Sequence, residues 1–202
     1  MTSLVLNSTK KTLSTVAALT TCMLCSVAQA ESDYNFVQAH ILQADYADIP
    51  GFTLQGFELR AGFGLDNVFT EARYRDLRDS VGESNLDESR WNISLGYAIP
   101  LTSETRMDVR VNYGKIDIEG IAPNASLKST PNYEGVSSYI YHTFDQNIEV
   151  YGGLEWQNLP HNADQKAYHL GAMYQFSELS LGTEYTKYSD SDAMSLFVRY
   201  EF

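Results

Sequence analysis

The chain has no cysteine after Cys25; Cys22 and Cys25 are the only two it contains. A disulfide framework over the remaining 177 or so residues is therefore excluded. After residue 30 no apolar run approaches the roughly 20 residues a membrane-spanning helix needs. Basic residues are scarce, 14 Lys and Arg against 26 Asp and Glu. That balance argues against nucleic acid, which selects basic surfaces. From Tyr34 onward no segment has a convincing helical period. If this chain enters a membrane, it enters as strands.

The N-terminus has its own logic. Lys10 and Lys11 form a positive region, "LSTVAALTTCMLCSV" is an apolar stretch, and "AQA" at 28–30 places small residues where signal peptidase reads them. This is the pattern of a cleaved secretory signal over residues 1–30. The alternative, a retained anchor, has too short an apolar stretch. Both cysteines leave with the signal. Cleavage also removes Lys10 and Lys11 and no acid, leaving 12 basic against 26 acidic residues, a net −14. An exported chain without disulfides needs another stabilising agent.

Residues 31–202 read as one domain of alternating segments. Ten candidate strands cover 34–46, 53–64, 67–77, 89–99, 105–118, 134–144, 147–157, 166–176, 178–188 and 193–202. Connections alternate in length. "GLD" (64–66), "PLTSE" (100–104), "DQ" (145–146) and "S" (177) are tight. The stretches 47–51, 79–88, 120–132, 158–165 and 189–192 read as longer loops. Tight, long, tight, long is the record of an antiparallel meander whose ends face different compartments. Ten strands return both termini to one side.

Alternation alone does not say which face points outward. One face of 90–99 carries Trp91, Ile93, Leu95, Tyr97 and Ile99, and the other Arg90, Asn92, Ser94, Gly96 and Ala98. Three features turn the apolar face out. Aromatics on it cluster near strand ends: Tyr74, Trp91, Tyr113, Trp156, Tyr168 and Tyr185 at one level, Tyr97 and Phe176 at the other. Such girdles mark the two boundaries of a hydrocarbon layer. The polar face is rich in glycine and in charges of both signs, which suits a narrow interior. The last segment, "AMSLFVRYEF", alternates to its final residue and can pair with the first strand, so that no edge faces lipid. The expectation is an all-β, closed, antiparallel, up-and-down transmembrane β-barrel of ten strands, with eight as the alternative. Strands 34–46 and 134–144 sort poorly into faces, and a bulge in each is expected.

These features resemble the small porin-like outer membrane β-barrel proteins of Gram-negative bacteria. The carriers are the "AQA" signal, "GFTLQGFELRAGFGLDNVFTEARY", "ESRWNISLGYAIPLTSETRMDVRVNYGKI", "AYHLGAMYQFSELSLGTEY" and the ending "LFVRYEF". The resemblance implies residence in the outer membrane and contact with its lipid and lipopolysaccharide. It also implies handling by periplasmic chaperones and the assembly machinery, and a monomer without cofactor or metal. It further implies that Leu196, Val198, Tyr200 and Phe202 form the C-terminal signal read during assembly.

The lumen is expected to hold Glu58, Arg60, Glu71, Arg73, Arg75, Asp108, Arg110, Glu149, Glu155, Glu184 and Arg199. They form either a salt-bridged plug or a charged constriction that selects solutes. The plug is favoured because a barrel near eight strands is just wide enough for side chains. The function expected is a non-enzymatic structural or surface-interaction barrel. The first alternative is a narrow, weakly cation-preferring channel, motivated by the acidic excess. An omptin-like surface protease is more remote. Its candidates, Asp45, Asp48, Asp76, Asp79, Asp190, His161 and His169, are joined by no motif. A Ser–His hydrolase on the lipid-facing wall would need His40 or His142 outward. Replacing Phe202 with aspartate is expected to lower the amount of protein recovered in the outer membrane fraction; unchanged surface levels would contradict the terminal-signal reading.

Overall fold

The computed structural model describes residues 34–47, 51–160 and 163–202. The signal segment, Asp48 and His161 lie outside the described residues. The elements are β1 (Phe36–Tyr46), β2 (Thr53–Leu65), β3 (Val68–Val81), β4 (Ser84–Pro100), β5 (Thr105–Ala122), β6 (Ala125–Ser129), β7 (Asn132–Phe144), β8 (Ile148–Leu159), β9 (Ala163–Gln175), β10 (Leu179–Tyr188) and β11 (Ser191–Glu201). Neighbours in sequence pair antiparallel around the sheet, and β1 pairs with β11 from Phe36↔Glu201 to Tyr46↔Ser191. The barrel is closed.

Eleven elements make ten walls. β6 and β7 both pair with β5 in one register, Ile118↔Ser129 and Lys115↔Asn132 belonging to the same ladder. The break between them falls at Pro131, which has no N–H to give; its carbonyl still accepts from Ile116 N–H at 2.9 Å. β6 is thus the outer end of the sixth wall.

The expected long connections at 79–88 and 120–132 are corrected here. β3 and β4 pair to Val81↔Ser84, leaving a two-residue turn at Gly82–Glu83. Gly82 has φ 62°, which a turn of this kind needs at its first central residue. β5 and β6 pair to Ala122↔Ala125 around Pro123–Asn124. At these ends the outward face turns polar, while Leu86 and Glu88 still point inward and are buried. The two-residue polarity period is lost there although the strand continues. On the opposite side the tight turns are as expected. Asp145 and Gln146 take φ 49° and 64°, and Asn147 N–H donates to Phe144 O at 3.2 Å.

The expected bulges are absent. β1 holds an unbroken register with β2 and β11, and β7 with β5 and β8. β1 turns Phe36, Gln38, His40 and Ala44 inward and buries them, while Ala39 and Ile41 are exposed. β7 buries Tyr133, Tyr139 and Tyr141 and exposes Val136, Ile140 and Phe144. Both strands sorted poorly because large aromatics point inward on them.

Those inward rings have seats. Phe36, Phe69, Tyr133, Tyr139, Tyr151 and Phe197 each stand directly across a strand pair from a glycine: Gly62, Gly96, Gly114, Gly153, Gly171 and Gly182 in turn. A Cβ on Gly96 would lie 2.2 Å from the Phe69 ring, and one on Gly153 would lie 2.3 Å from Tyr139. Glycine here supplies room for a ring to lie flat on the barrel wall.

Gly96→Ala is expected to cost about 1–3 kcal/mol, the usual range for overpacking, because Phe69 is 1% exposed and cannot move aside. Gly152→Ala is the control: it faces outward, and its nearest neighbour would be His169 O at 3.7 Å. Urea unfolding midpoints in lipid vesicles should fall for the first and hold for the second.

Candidate functional site: the lumen and its rims

Every second residue on each wall points inward, so the lumen inherits the polar half of the sequence. Seven arginines face it: Arg60, Arg73, Arg75, Arg90, Arg106, Arg110 and Arg199. Seven acids line it with them: Glu58, Glu71, Glu88, Asp108, Glu149, Glu155, which pairs with His169, and Glu184. All eleven lumenal residues expected from the alternation lie inside. Glu88 and Arg106 were missed, and Arg90, read as part of the inward polar face, was not counted in the charge network. Arg106 shares the alternation of Asp108 and Arg110, which was a usable signal. Glu88 fell in a stretch read as loop.

The groups are interlocked at three levels. Toward the turn side, Arg106 Nη1 donates to Glu149 at 2.5 Å. Arg110 donates to Asp108 at 2.6 Å, to Glu71 at 3.0 Å and to the Tyr141 hydroxyl at 2.8 Å. Arg73 also pairs with Glu71. At mid-height Arg60 clasps Glu184 with both terminal nitrogens, at 2.7 and 3.1 Å, and reaches Glu58 with Nε. The Tyr151 hydroxyl donates to Glu184 at 2.6 Å. Nearer the mouth Arg75 pairs with Glu88, which also accepts from Tyr46. Arg199 pairs with Glu201 at 3.0 Å on the turn-side rim.

The rings complete the packing. Arg199 lies over Phe36 at 3.7 Å, Arg106 over Tyr141 at 4.4 Å, Arg110 over Tyr139 at 4.6 Å and Arg90 over Tyr188 at 5.1 Å. The guanidinium plane suits this double duty, stacking on a ring while its edge holds carboxylates. Among the described residues Nε of Arg75, Nη1 of Arg90 and the Tyr139 hydroxyl have no hydrogen-bond partner. Cavities of about 30 and 20 Å³ lie in the lumen among the described residues. Each has room for one or two waters.

The histidines are absorbed into this interior or into the wall. His40 faces inward and bonds Gln38 at 2.8 Å and Ser195 at 3.1 Å. His169, expected near the surface, is buried between Glu155 at 3.2 Å and Thr186 at 3.1 Å. None of the described protease candidates Asp45, Asp76, Asp79 and Asp190 is its carboxylate partner. Asp79 instead accepts from Thr53 N–H at 2.8 Å, and Asp190 from Gln165 at 2.8 Å. His142 faces outward against Thr105, 2.9 Å away, with no acid behind it among the described residues.

The outer face is apolar. Leu196, Val198, Tyr200 and Phe202 lie on it. So do the girdle residues Tyr74, Tyr97, Tyr113, Trp156, Tyr168, Phe176 and Tyr185, with Trp91 half-buried. Tyr74 pairs across the sheet with Trp91, whose ring meets Tyr113 edge-on at 5.8 Å between centroids.

Removing one member of a buried ion pair costs about 3–5 kcal/mol, because its partner is left charged and unpaired. Arg60→Met strands both Glu58 and Glu184 and is expected to lower the urea midpoint by an amount in that range. Arg60→Lys keeps the charge but not the fork, and should fall between Met and wild type. An Arg60→Met midpoint equal to wild type would show that the cluster contributes nothing.

No protein-family model matches the sequence, and no curated protein matches it. Among solved structures, the NanC porin is similar, with a TM-score of 0.54 at 8% identity over 82% of this chain and 100% of that chain. Neisserial surface protein A also resembles it, at TM-score 0.45 and 13% identity over 83% of this chain and 95% of that one. The KdgM porin does so at 0.46 and 12%, over 83% and 99%. The fold is that of a small porin-like outer membrane β-barrel: ten antiparallel walls, apolar outside and charged within.

Proposed function

We propose that this chain is an outer membrane barrel, exported on a cleaved signal, with a structural or surface-interaction role and a lumen closed by ion pairs. The observation that carries this reading is the match of seven arginines to seven acids across the bore, packed with rings and leaving cavities of about 30 and 20 Å³. A hydrated ion needs a continuous path wider than these. The protein is not an enzyme in this reading.

The channel alternative draws on the acidic excess, but that excess lies outside the bore. Asp45, Asp87, Glu119, Glu134 and Asp164 are exposed at the loop-side ends of the walls. An outer surface of this charge does not select cations within a neutral lumen. NanC and KdgM are called porins, and this chain shares their fold at low identity.

Planar-bilayer recording on purified, refolded protein tests the reading. Electrical silence is expected; stable unit conductance with a cation preference would replace the closed barrel with the channel.

A further inference from the structure

The outer wall carries a trough of about 760 Å³ spanning β4, β5, β7, β8 and β9. Its volume falls within the roughly 300–1,000 Å³ of ligand clefts. The cause is side-chain height. Val111, Val136 and Ser138 make a low floor along β5 and β7. Tyr97 rises on one flank, and Trp156 and Tyr168 rise on the other. Register sets them side by side: Val111 pairs with Val136, Val136 with Trp156, and Trp156 with Lys166. The one hydroxyl on the floor is neutralised, since Ser138 Oγ donates to the Asp108 carbonyl at 2.8 Å. The trough therefore offers hydrocarbon a dry surface on a wall that hydrocarbon bathes.

One flank of the trough ends in a cation. Lys115, Lys128 and Lys187 are each tied to an acid, at 2.7, 3.2 and 3.1 Å. Among the described residues Lys166 forms no ion pair, not even with Asp164 two positions farther out on the same face. It is exposed beside the two girdle rings, at the loop-side boundary of the apolar band. The surrounding rim is acidic and repels anions, so this ammonium is where a negative headgroup can settle.

We propose that the trough holds one membrane lipid of the loop-side leaflet, an acyl chain along the valine floor and a headgroup phosphate at Lys166. The inference rests on the membrane-embedded reading but not on the lumen being closed.

Native mass spectrometry of the refolded protein in non-ionic detergent provides the test, with lipid A and phosphatidylcholine as probes. One retained lipid A is expected, with phosphatidylcholine lost. Lys166→Gln should lower lipid A retention by about tenfold, equivalent to about 1.4 kcal/mol. Val136→Trp fills the floor and should lower it as much. Lys166 lies at the edge of the band, so Lys166→Gln leaves folding intact, which a heat-shift gel verifies. Equal retention of both lipids, or of lipid A by both variants, overturns the proposal. So does a dimer mass in place of a lipid adduct, which would mean that a second copy covers the trough. A conducting but lipid-retaining protein would sink the closed-lumen reading and leave this one standing.

Discussion

A backbone N–H or C=O in hydrocarbon has no solvent partner, and each unpaired group costs several kcal/mol. A sheet in that medium must close on itself. Here closure is the β1–β11 ladder, extended by the bond from Phe202 N–H to Asn35 O at 3.0 Å. Once ten walls close, the circumference is set, and with it an interior of limited width. Everything inside is a solution to filling that width. The ring-on-glycine pairs are the spatial half of the solution. A wall with a side chain at every inward position would have no room for six large rings.

Ion pairs are the other half, and they bear on sidedness. A one-residue slip between neighbouring walls would exchange their faces. With seven arginines inward, a slip would push guanidinium groups into lipid, at about 2–4 kcal/mol each near the midplane. An apolar interior would carry no such penalty. Buried ion pairs often contribute little net stability over hydrocarbon; here they make the wrong register expensive. Among the described residues seven arginines and no lysine face the lumen. Only the planar group can stack on Phe36 or Tyr141 while its edge holds a carboxylate.

How much of this was legible in the sequence follows from the solvent on each side of the wall. Where lipid met one face and charge the other, alternation was plain, as in Trp91–Ile99 and Met107–Tyr113, and the eleven lumenal groups could be assigned. Where rings pointed inward, both faces looked apolar, and β1 and β7 resisted sorting. Tyr139 and Tyr141 are buried by Gly153, Tyr151 and the arginines of β5 on the adjoining walls, and no local pattern reports that. Beyond the lipid boundary the outward face is polar as well, so the outer ends of β3, β4 and β5 read as loops. The turn residues Gly82 and Pro123–Asn124 were the available clue there. The partner choices inside, such as Arg60 clasping Glu184 124 residues away, depend on register summed around the barrel and have no sequence signature.

Charge is partitioned by this architecture. The bore is balanced, so the acidic surplus must sit on the rims. The extended ends of β3, β4, β5 and β6 hold part of it on a paired ribbon rather than on slack loops, with Lys128 and Glu119 tied across two of its strands at 3.2 Å. A ribbon keeps its acids at fixed spacing above the membrane. Such a rim and the lipid-facing wall are the two surfaces that the barrel turns outward. Among the described residues the one lysine without an acid, Lys166, stands where those two surfaces join.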